Sequence, residues 1–274
     1  MEEISTAVPS KRERLQELLR AMARVAVAYS GGTDSTLLLK VACDVLGHEH
    51  VLALTAVSPS QPASEREEAG ALARHIGVRH ALIETHELDD ARYVENTLER
   101  CYFCKRVILE ALIRYASREG FNVVVDGANA DDLHDHRPGS RAAREWGVRS
   151  PLQEAGLTKA EIREWARALG LPNWDKPAAA CLASRVPYGT PITAELLRRI
   201  EQAEAAVRRL GVRQLRVRHH GNLARIEVEP PDFVTILERR AEVIQALRAL
   251  GYAYVTLDLA GYRSGSMHDA YRLL

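Results

Sequence analysis

The apolar residues of the first two-thirds of the chain follow two alternating patterns. Short continuous apolar runs, typical of buried strands, are separated by longer segments in which apolar residues recur every three or four positions, typical of amphipathic helices. The short runs predict strands at residues 25–28, 51–57, 80–84 and 122–125. The longer segments predict helices at residues 11–22, 36–46, 63–76, 101–118 and 158–169. Strands that alternate with helices indicate βαβ units, so we predict an α/β fold with a parallel, twisted sheet covered by helices on both faces.

A second pattern begins after an irregular, proline-rich stretch at residues 171–192. The order after it is helix, strand, strand, helix, strand, and the first two strands are joined at Gly221 and Asn222. These elements are predicted at residues 193–210, 215–219, 223–229, 232–250 and 254–257. We therefore predict two domains, an α/β domain at residues 1–192 and a smaller α+β domain at residues 193–274 that serves substrate binding or oligomerisation.

The charge balance argues against a nucleic acid as the main partner. The 274 residues include 37 Lys and Arg and 37 Asp and Glu, which gives a formal net charge of zero. Proteins that grip long nucleic acids usually carry a basic surplus, because phosphate contacts dominate the affinity. No apolar run in the sequence reaches the roughly 18 residues expected of a membrane span. The acidic N-terminus has no apolar segment of the kind found in secretion signals, so we expect a cytoplasmic protein with no membrane partner.

A glycine loop follows the first predicted strand and precedes a predicted helix. Gly31 and Gly32 would let the backbone approach an anion closely, and the helix N-terminus would direct N–H groups and a positive dipole towards it. The hydroxyls of Ser30 and Ser35 could donate hydrogen bonds, and Asp34 could bind Mg²⁺ or accept from a ligand. The loop has neither the lysine of a Walker P-loop nor the spacing of a Rossmann fingerprint. A capped glycine turn without a ligand is the alternative.

In this strand–loop–helix setting, the sequence SGGTDS resembles the PP-loop of the ATP pyrophosphatases. The resemblance implies that ATP is cleaved between its α- and β-phosphates, that a carboxylate or amide-like oxygen is adenylated, and that pyrophosphate is released. It also implies Mg²⁺, which neutralises the charge that develops on the phosphates.

A second loop, DGANADD, follows the fourth predicted strand at residues 126–132. Because ligands of parallel sheets bind at the carboxyl ends of the strands, this loop is expected at the same edge as the glycine loop. Gly127 allows tight backbone passage, and Asn129, Asp131 and Asp132 could contact ribose, Mg²⁺ or substrate. A solvated turn is the alternative. Arg137 follows and could bind an anion.

Three of the four cysteines have the spacing of a metal or redox site. Cys101 and Cys104 form a C-x-x-C at a predicted helix start flanked by basic residues, a setting that favours the reactive thiolate. Cys181 lies in the proline-rich stretch. Three thiolates could hold a [4Fe–4S] cluster with one iron left open, or Zn²⁺ together with a histidine; a redox dithiol and ordinary buried thiols are further alternatives. Cys43 occupies an apolar position on a predicted helix and is expected in the core.

Four longer segments extend the resemblance to essentially the whole chain: RCYFCK, DGANADD, RPGSRAAREWGVRSPLQEAGLTKAEIR and ACLASRVPYGTPIT. Together they resemble the LarE family, whose members are sulfur transferases that help to build the nickel-pincer cofactor of lactate racemase. The resemblance implies that ATP adenylates each carboxylate of pyridinium-3,5-biscarboxylic acid mononucleotide, which is then converted to a thiocarboxylate. It also implies a homo-oligomer, since members of the family assemble as hexamers.

The resemblance assigns Cys181 as the sulfur-bearing nucleophile. In members with a single cysteine, this residue gives up its own sulfur and becomes dehydroalanine. In members with three cysteines, a [4Fe–4S] cluster carries an extra sulfide and the protein is not consumed. This chain has the three-cysteine pattern, so we expect a cluster with Cys101, Cys104 and Cys181 as its ligands.

Arginines in and beside the second predicted domain are candidates for substrate binding. Arg216 and Arg218 alternate along a predicted strand and could clamp a phosphate from one face; surface arginines are the alternative. The resemblance implies that this pair binds the phosphate of the mononucleotide. Arg185, beside the reactive cysteine, is expected to face the substrate. Glu204 and Glu227 are weaker candidates for a metal site, with a solvated charge as the default for each.

Two other functions fit parts of this pattern. A tRNA-thiolating enzyme of the same superfamily would also use ATP and, in some cases, a cluster. The zero net charge and the lack of a recognisable RNA-binding appendage in the sequence argue against it. A nucleotide- or zinc-binding module without chemistry would release no pyrophosphate with any carboxylate.

Overall fold

The computed structural model describes residues 9–134, 138–177 and 180–263, which contain seven strands and eleven α-helices. The strands are β1 (Val25–Ala28), β2 (Val51–Val57), β3 (Arg79–Glu84), β4 (Val124–Asp126), β5 (Leu215–His220), β6 (Leu223–Val228) and β7 (Tyr254–Leu257). The helices are α1 (Lys11–Met22), α2 (Thr33–Leu46), α3 (Ala63–Ile76), α4 (Ala91–Val94), α5 (Arg100–Arg118), α6 (Pro138–Glu145), α7 (Pro151–Glu154), α8 (Lys159–Ala168), α9 (Ala194–Arg208), α10 (Phe233–Glu238) and α11 (Arg240–Ala249). Within these described ranges, no helix is long and apolar enough to cross a membrane.

The chain forms two compact units. The first consists of the chain up to Ser58, Ala63–Glu87 and Cys101–Ala178. The second consists of Pro59–Pro62, Leu88–Arg100 and the chain from Ala179 onward. The division therefore falls after Ala178, whereas the sequence predicted it after residue 192, and the second unit also takes two segments from the first half of the chain.

Backbone hydrogen bonds within the second unit explain this difference. The Leu182 N–H donates to the carbonyl of Ser60 at 2.7 Å, and the Ile192 N–H donates to the carbonyl of Val94 at 2.9 Å. The proline-rich stretch thus folds with segments that precede it by about a hundred residues. A local pattern of apolar residues carries no information on such pairings.

The first unit is built around the parallel sheet that the alternating pattern predicts. The strand order is β3-β2-β1-β4, and every pairing is parallel, with Val25 beside Val51 and Val27 beside Val125. Beyond β4, an isolated parallel bridge joins Val125 to Arg149. The prediction of an α/β fold with a parallel sheet is confirmed, and the carboxyl ends of its strands share one edge.

Helices cover both faces of this sheet. Val25 and Val27 of β1 share one apolar cluster with Trp165 of α8. Ala26, which points to the opposite face, shares another cluster with Leu109 of α5. Because both faces are buried, the central strands consist of continuous apolar runs and not of alternating apolar and polar residues.

Helix α2 begins at Thr33, three residues earlier than the apolar spacing predicted. Its N-cap is Gly32, which has an extended backbone (φ −75°, ψ 161°). Glycine offers no side chain, so the N–H groups of the first turn receive no cap from it. Asp34 and Ser35 therefore belong to the first helical turn and not to the loop before it.

The second unit contains a three-stranded sheet in the order β5-β6-β7. β5 and β6 form an antiparallel hairpin closed at Gly221, which has φ +64°, and β7 runs parallel to β6. Val217 and Ile226 pack in its core with Leu247 of α11. The single helix predicted at residues 232–250 is divided into α10 and α11 at Arg239, whose backbone (φ −96°, ψ 18°) leaves the helical range.

The protonated form of His80, a half-buried residue on β3, is disfavoured. The hydroxyl of Thr55 donates to the carbonyl of Tyr29 at 2.7 Å, so its oxygen accepts from Nε2 of His80 at 2.8 Å. Burial, and then the positive charge of Arg74, lowers the pKa of His80 below its ordinary value.

We expect protonation of His80 to weaken the fold. A pKa lowered by folding means that the unfolded chain binds more protons below the ordinary value of 6.5. The stabilisation is therefore complete above that value and is lost as the pH falls through the folded pKa. Urea unfolding at about pH 7.5 and about pH 5.5 should show a smaller loss of unfolding free energy on acidification for His80→Gln than for the wild type.

His75→Gln is the matched control, because His75 lies exposed on α3. It should lose as much stability on acidification as the wild type. Equal losses in the wild type and in His80→Gln would contradict the role given to His80.

Candidate active site

The glycine loop between β1 and α2 has no room for a side chain at Gly31. This residue has φ +73°, and a Cβ atom built on it would lie 2.8 Å from Cβ of Ala69 on α3. Both the left-handed backbone and the close contact require glycine. The loop is thereby pressed against α3 and held at the carboxyl end of β1.

Two serine hydroxyls brace the loop from within. The hydroxyl of Ser35 donates to the carbonyl of Gly32 at 3.1 Å, so the hydroxyl of Ser30 donates to the oxygen of Ser35, also at 3.1 Å. The N–H of Gly32 donates to the oxygen of Ser30 at 3.3 Å. The loop is closed on itself, and the first-turn N–H groups of α2 stay uncapped by a side chain, which is the setting that binds anions at helix N-termini.

Asn173 supports the loop from a distant part of the chain, and the sequence analysis missed it. Its amide nitrogen donates to the carbonyl of Gly31 at 3.1 Å and to the hydroxyl oxygen of Thr36 at 2.9 Å. The main-chain carbonyl of Asn173 accepts from the hydroxyl of Thr33 at 2.9 Å. A single asparagine in a proline-rich stretch gives no signal of this contact in the sequence.

The acidic loop after β4 lies directly against the glycine loop. A Cβ atom on Gly127 would lie 2.9 Å from the backbone nitrogen of Ser35. The amide of Asn129 donates to the carboxylate of Asp34 at 3.0 Å, and its side-chain oxygen accepts from the N–H of Asp131 at 3.0 Å. The structure thus brings together the residues of the two predicted loops. Arg137, the predicted anion contact, lies outside the described residues.

Two lysines that the sequence analysis did not select lie beside these loops. The ammonium group of Lys159, the first residue of α8, pairs with Asp34, and its backbone N–H donates to Asp131 at 2.8 Å. The ammonium group of Lys105 on α5 lies 3.6 Å from the carboxylate of Asp126. The capping box at Thr158 and Glu161 predicts where α8 begins, but not that its first residue meets the glycine loop.

The C-x-x-C lies at the start of α5, with Cys101 and Cys104 as its second and fifth residues. Cys101 is exposed and Cys104 is partly exposed, and neither is in a disulfide. Residues at positions i and i+3 of a helix share a face, with Cβ atoms about 5–6 Å apart. Cys43, in contrast, is buried in the core as predicted, and burial raises the pKa of its thiol to about 12.

Cys181 belongs to the second unit, at the start of the short 3₁₀ helix Leu182–Arg185, and its side chain is exposed. Its thiol is therefore accessible to a reaction partner. Among the described residues, no group of three or more His, Cys, Asp or Glu side chains is arranged to hold a metal ion. The metal-ligand role of the cysteines stays a prediction.

Arg185 is buried and binds groups of the protein itself. Its guanidinium forms a bidentate pair with Glu204, at 2.7 Å and 3.0 Å, and donates to the carbonyls of Ala180 and Cys181 at 2.6 Å and 2.9 Å. The sequence analysis expected Arg185 to face the substrate, whereas the structure uses all three of its nitrogens inside the second unit. Arg185 thus anchors the backbone around Cys181.

A second buried pair lies on the neighbouring strands. Arg218 of β5 donates to Glu227 of β6 at 3.0 Å and to the carbonyl of Ser184 at 2.8 Å. Glu227 is fully buried and Glu204 is 2% exposed, so the expectation that either is a solvated charge is wrong. Carboxylates this deeply buried require charged partners, which the arginines supply.

Arg216 is buried on the same strand as Arg218, with its guanidinium 5.1 Å from the ring centre of Tyr262. Burial, followed by the nearby charge of Arg185, lowers the pKa of Arg216. The positive charge at Arg216 is thus less stable than in water. A bound anion would relieve this penalty.

A parallel sheet with a glycine loop after its first strand, no Walker lysine in that loop and an acidic loop in contact with it is typical of the PP-loop ATP pyrophosphatases. A family model described as asparagine synthase matches residues 12–226 of the chain. Membership of this class makes the protein an ATP-dependent enzyme.

Three relatives show what the chain is similar to. It is 40% identical over 260 residues to the pyridinium-3,5-bisthiocarboxylic acid mononucleotide synthase of Lactiplantibacillus plantarum, covering 95% of this chain and 94% of that protein. It is 48% identical over 261 residues to an uncharacterised protein of Synechocystis sp., covering 94% and 97%. An argininosuccinate synthase of Haloarcula marismortui is 31% identical over 159 residues, covering 54% and 37%. The chain belongs to the asparagine synthase family of PP-loop enzymes and, within it, to the LarE family.

We expect Gly31→Ala to weaken ATP binding by at least about tenfold, which corresponds to about 1.4 kcal/mol. The added methyl group would lie 2.8 Å from Cβ of Ala69 on α3, so the loop must shift away from α3 and lose its present position at the start of α2. Isothermal titration calorimetry with ATP and Mg²⁺ measures the change in affinity.

Gly147→Ala is the matched control. Gly147 has a similar backbone (φ +67°), but no described atom lies within 4 Å of the Cβ atom that alanine would add. It imposes the same backbone strain without the contact and should leave the affinity for ATP unchanged. An unchanged affinity in Gly31→Ala would refute the role of the loop.

Proposed function

We propose that this protein is an ATP-dependent sulfur transferase that converts pyridinium-3,5-biscarboxylic acid mononucleotide to its bisthiocarboxylic form. The observation that carries the proposal is the joining of the glycine loop to the acidic loop, in a chain similar over 95% of its length to a synthase of that product. A carboxylate is a poor electrophile, so the reaction is divided into an activation step and a sulfur-transfer step.

The first unit carries out the activation. The phosphates of ATP bind at the N–H groups that begin α2, where the helix dipole favours negative charge. A carboxylate oxygen of the substrate attacks the α-phosphorus, the bond from that phosphorus to the oxygen bridging to the β-phosphate breaks, and pyrophosphate leaves. Lys159 and Lys105 lie beside the loops and stabilise the charge of the leaving group.

The carboxylates of Asp34 and Asp131 are suited to bind Mg²⁺ together with ATP, because Mg²⁺ prefers oxygen ligands and is usually held by one or two carboxylates plus phosphates. Asp34 pairs with Lys159 in the structure, so Mg²⁺ and this lysine share one carboxylate. The proposed ATP-binding residues are Ser30, Gly31, Gly32, Asp34, Ser35, Gly127, Asn129 and Asp131.

The second unit binds the phosphate of the substrate in this proposal. Arg216 and Arg218 are both buried on β5, and the lowered pKa of Arg216 reflects a positive charge that an anion would stabilise. Arg185 contributes its charge to the same cluster and holds the Cys181 backbone.

Cys181 is the proposed nucleophile. Its thiolate attacks the carbonyl carbon of the acyl-adenylate, the carbon–oxygen bond to AMP breaks, and a thioester forms. If Cys181 itself is the sulfur source, its Cα proton is removed and its Cβ–S bond breaks. The substrate then keeps the sulfur as a thiocarboxylate, and the protein is left with dehydroalanine.

The cysteine donors fit an iron–sulfur cluster, since the three thiols outside the core are reduced and at least partly exposed. Cluster irons are bound by cysteine thiolates. We include Cys101, Cys104 and Cys181 as its ligands. When bound, a [4Fe–4S] cluster with one iron free of cysteine would supply a sulfide for transfer, so that Cys181 need not be consumed.

The proposal extends to the partner, the oligomeric state and the location of the enzyme. Its partner is a small molecule and not a nucleic acid, which the zero net charge supports. A hexameric homo-oligomer is carried over from the resemblance to the family, and the cytoplasm is the proposed location.

We expect Cys181→Ala to lower thiocarboxylate formation by roughly three orders of magnitude or more, because the variant has no nucleophilic sulfur at this position. Carboxylate-dependent exchange between ATP and pyrophosphate should remain, since activation needs only the first step. Mass spectrometry of the product and radiolabel exchange measure the two steps separately.

Cys43→Ala is the control for loss of a thiol as such, because Cys43 is buried in the core. It should retain both activities. Normal thiocarboxylate formation by Cys181→Ala would show that this residue is not the nucleophile.

We expect the protein, purified without oxygen and supplied with iron and sulfide, to be brown with a broad absorbance near about 400 nm. Cys101→Ser should lack this band because it removes one of three ligands, whereas Cys43→Ala should retain it. A colourless protein that contains zinc would contradict the cluster.

A further inference from the structure

Asn96 is a fully buried residue with an unusual backbone. It is 0% exposed and has φ +55°, in the left-handed region that residues other than glycine seldom occupy. Its side-chain amide nitrogen donates to the carbonyls of Pro187 and Thr190 at 2.8 Å and 2.9 Å, and its main-chain carbonyl accepts from the N–H of Gly189 at 3.0 Å. One asparagine therefore holds the turn at residues 187–190.

Arg100 extends this contact towards the reactive cysteine. It is 4% exposed, and its guanidinium donates to the side-chain oxygen of Asn96 at 2.5 Å and to the carbonyl of Ala183 at 3.0 Å. The guanidinium carbon also lies 5.2 Å from the ring centre of Tyr188. A buried guanidinium is costly unless its donors are satisfied, so these bonds define where the main chain must lie.

The pair thus binds both parts of the segment that begins at Cys181. Arg100 holds the carbonyl two residues after Cys181, and Asn96 holds the turn that ends the segment. Arg185 and Ser60 bind the main chain at Cys181 and Leu182. The backbone is fixed by buried groups while the thiol itself stays exposed.

Asn96 and Arg100 have no part in the proposed ATP or phosphate sites, and both belong to the second unit with the segment they bind. We propose that Asn96 and Arg100 are positioning residues that hold residues 181–190 in one conformation and so present the Cys181 thiol for sulfur transfer. The inference rests on the proposed function for the identity of the step. The physical reason is that a nucleophile misplaced by about 1 Å can lose roughly 100-fold in rate.

Three variants remove parts of this arrangement. Asn96→Gly allows the left-handed backbone but deletes all side-chain bonds, and Asn96→Asp keeps the acceptor for Arg100 but loses both donated bonds. Arg100→Lys keeps the charge but replaces the planar guanidinium, whose Nη1 donates both bonds, with an ammonium group of different reach and geometry. Arg114→Lys, on the exposed face of α5, is the matched control.

Hydrogen exchange of the full chain, followed by mass spectrometry, tests the holding role. We expect amides of residues 181–190 to exchange at least about tenfold faster in Asn96→Gly and Arg100→Lys, with β1 and α2 unchanged, and no change in Arg114→Lys. Unchanged exchange at residues 181–190 in all three variants would overturn the proposal. If Asn96→Gly does not fold, Asn96→Asp and Arg100→Lys give the answer.

Separate assays of the two steps test the positioning role. We expect the kcat of thiocarboxylate formation to fall roughly 10- to 100-fold, while ATP–pyrophosphate exchange stays within about twofold of the wild type. A merely structural defect would reduce both steps together, and that result, or an unchanged kcat, would overturn the proposal. If the wild type forms no thiocarboxylate, the proposed function fails instead, and the exchange data alone decide whether the pair holds the segment.

Discussion

The edge of the first unit's sheet where the strands end depends on two places where a glycine lies too close to its neighbour for any side chain. Gly31 lies against Ala69, and Gly127 lies against the main chain of Ser35. The second contact brings the loop after β4 onto the first turn of α2, and this is why Asn129 can reach Asp34. One close approach thus turns two separate loops into a single polar site at a helix N-terminus.

In the second unit, the thiol of Cys181 is exposed while the backbone around it is bound by buried groups. These groups belong to buried pairs of arginine and glutamate. Glu204 and Glu227 are removed from water and must be paired, and the arginines that pair with them also bind carbonyls around Cys181. Arg185 and Arg218 therefore link the charge cluster to the reactive segment. Arg216 is buried on the same strand as Arg218, and its lowered pKa marks a positive charge that a bound anion would stabilise.

Much of the first unit follows from the sequence alone. The strands at residues 25–28 and 51–57 and the helix at residues 63–76 have the bounds that the apolar pattern predicts. Two glycines between a strand and a helix predict an anion site at the start of α2, and this stays a prediction. The start of α2 was placed three residues late, since Thr33, Asp34 and Ser35 are polar and carry no apolar period. These features depend on interactions between residues near one another in the chain.

Only the tertiary structure decided the contacts between residues that lie far apart in the sequence. Asn173 supports Gly31 and Lys159 pairs with Asp34, both from more than a hundred residues away. The burial of Glu204 and Glu227 could not be predicted from the sequence either. A single charged residue in a helix or strand is expected to be solvated as long as its charged partner is not known. Sequence periodicity reports which face of an element is apolar, not which element it meets. The sequence by itself therefore determined the elements, the class of chemistry and the candidate residues, whereas the fold decided which charges are buried together and what holds the thiol in place.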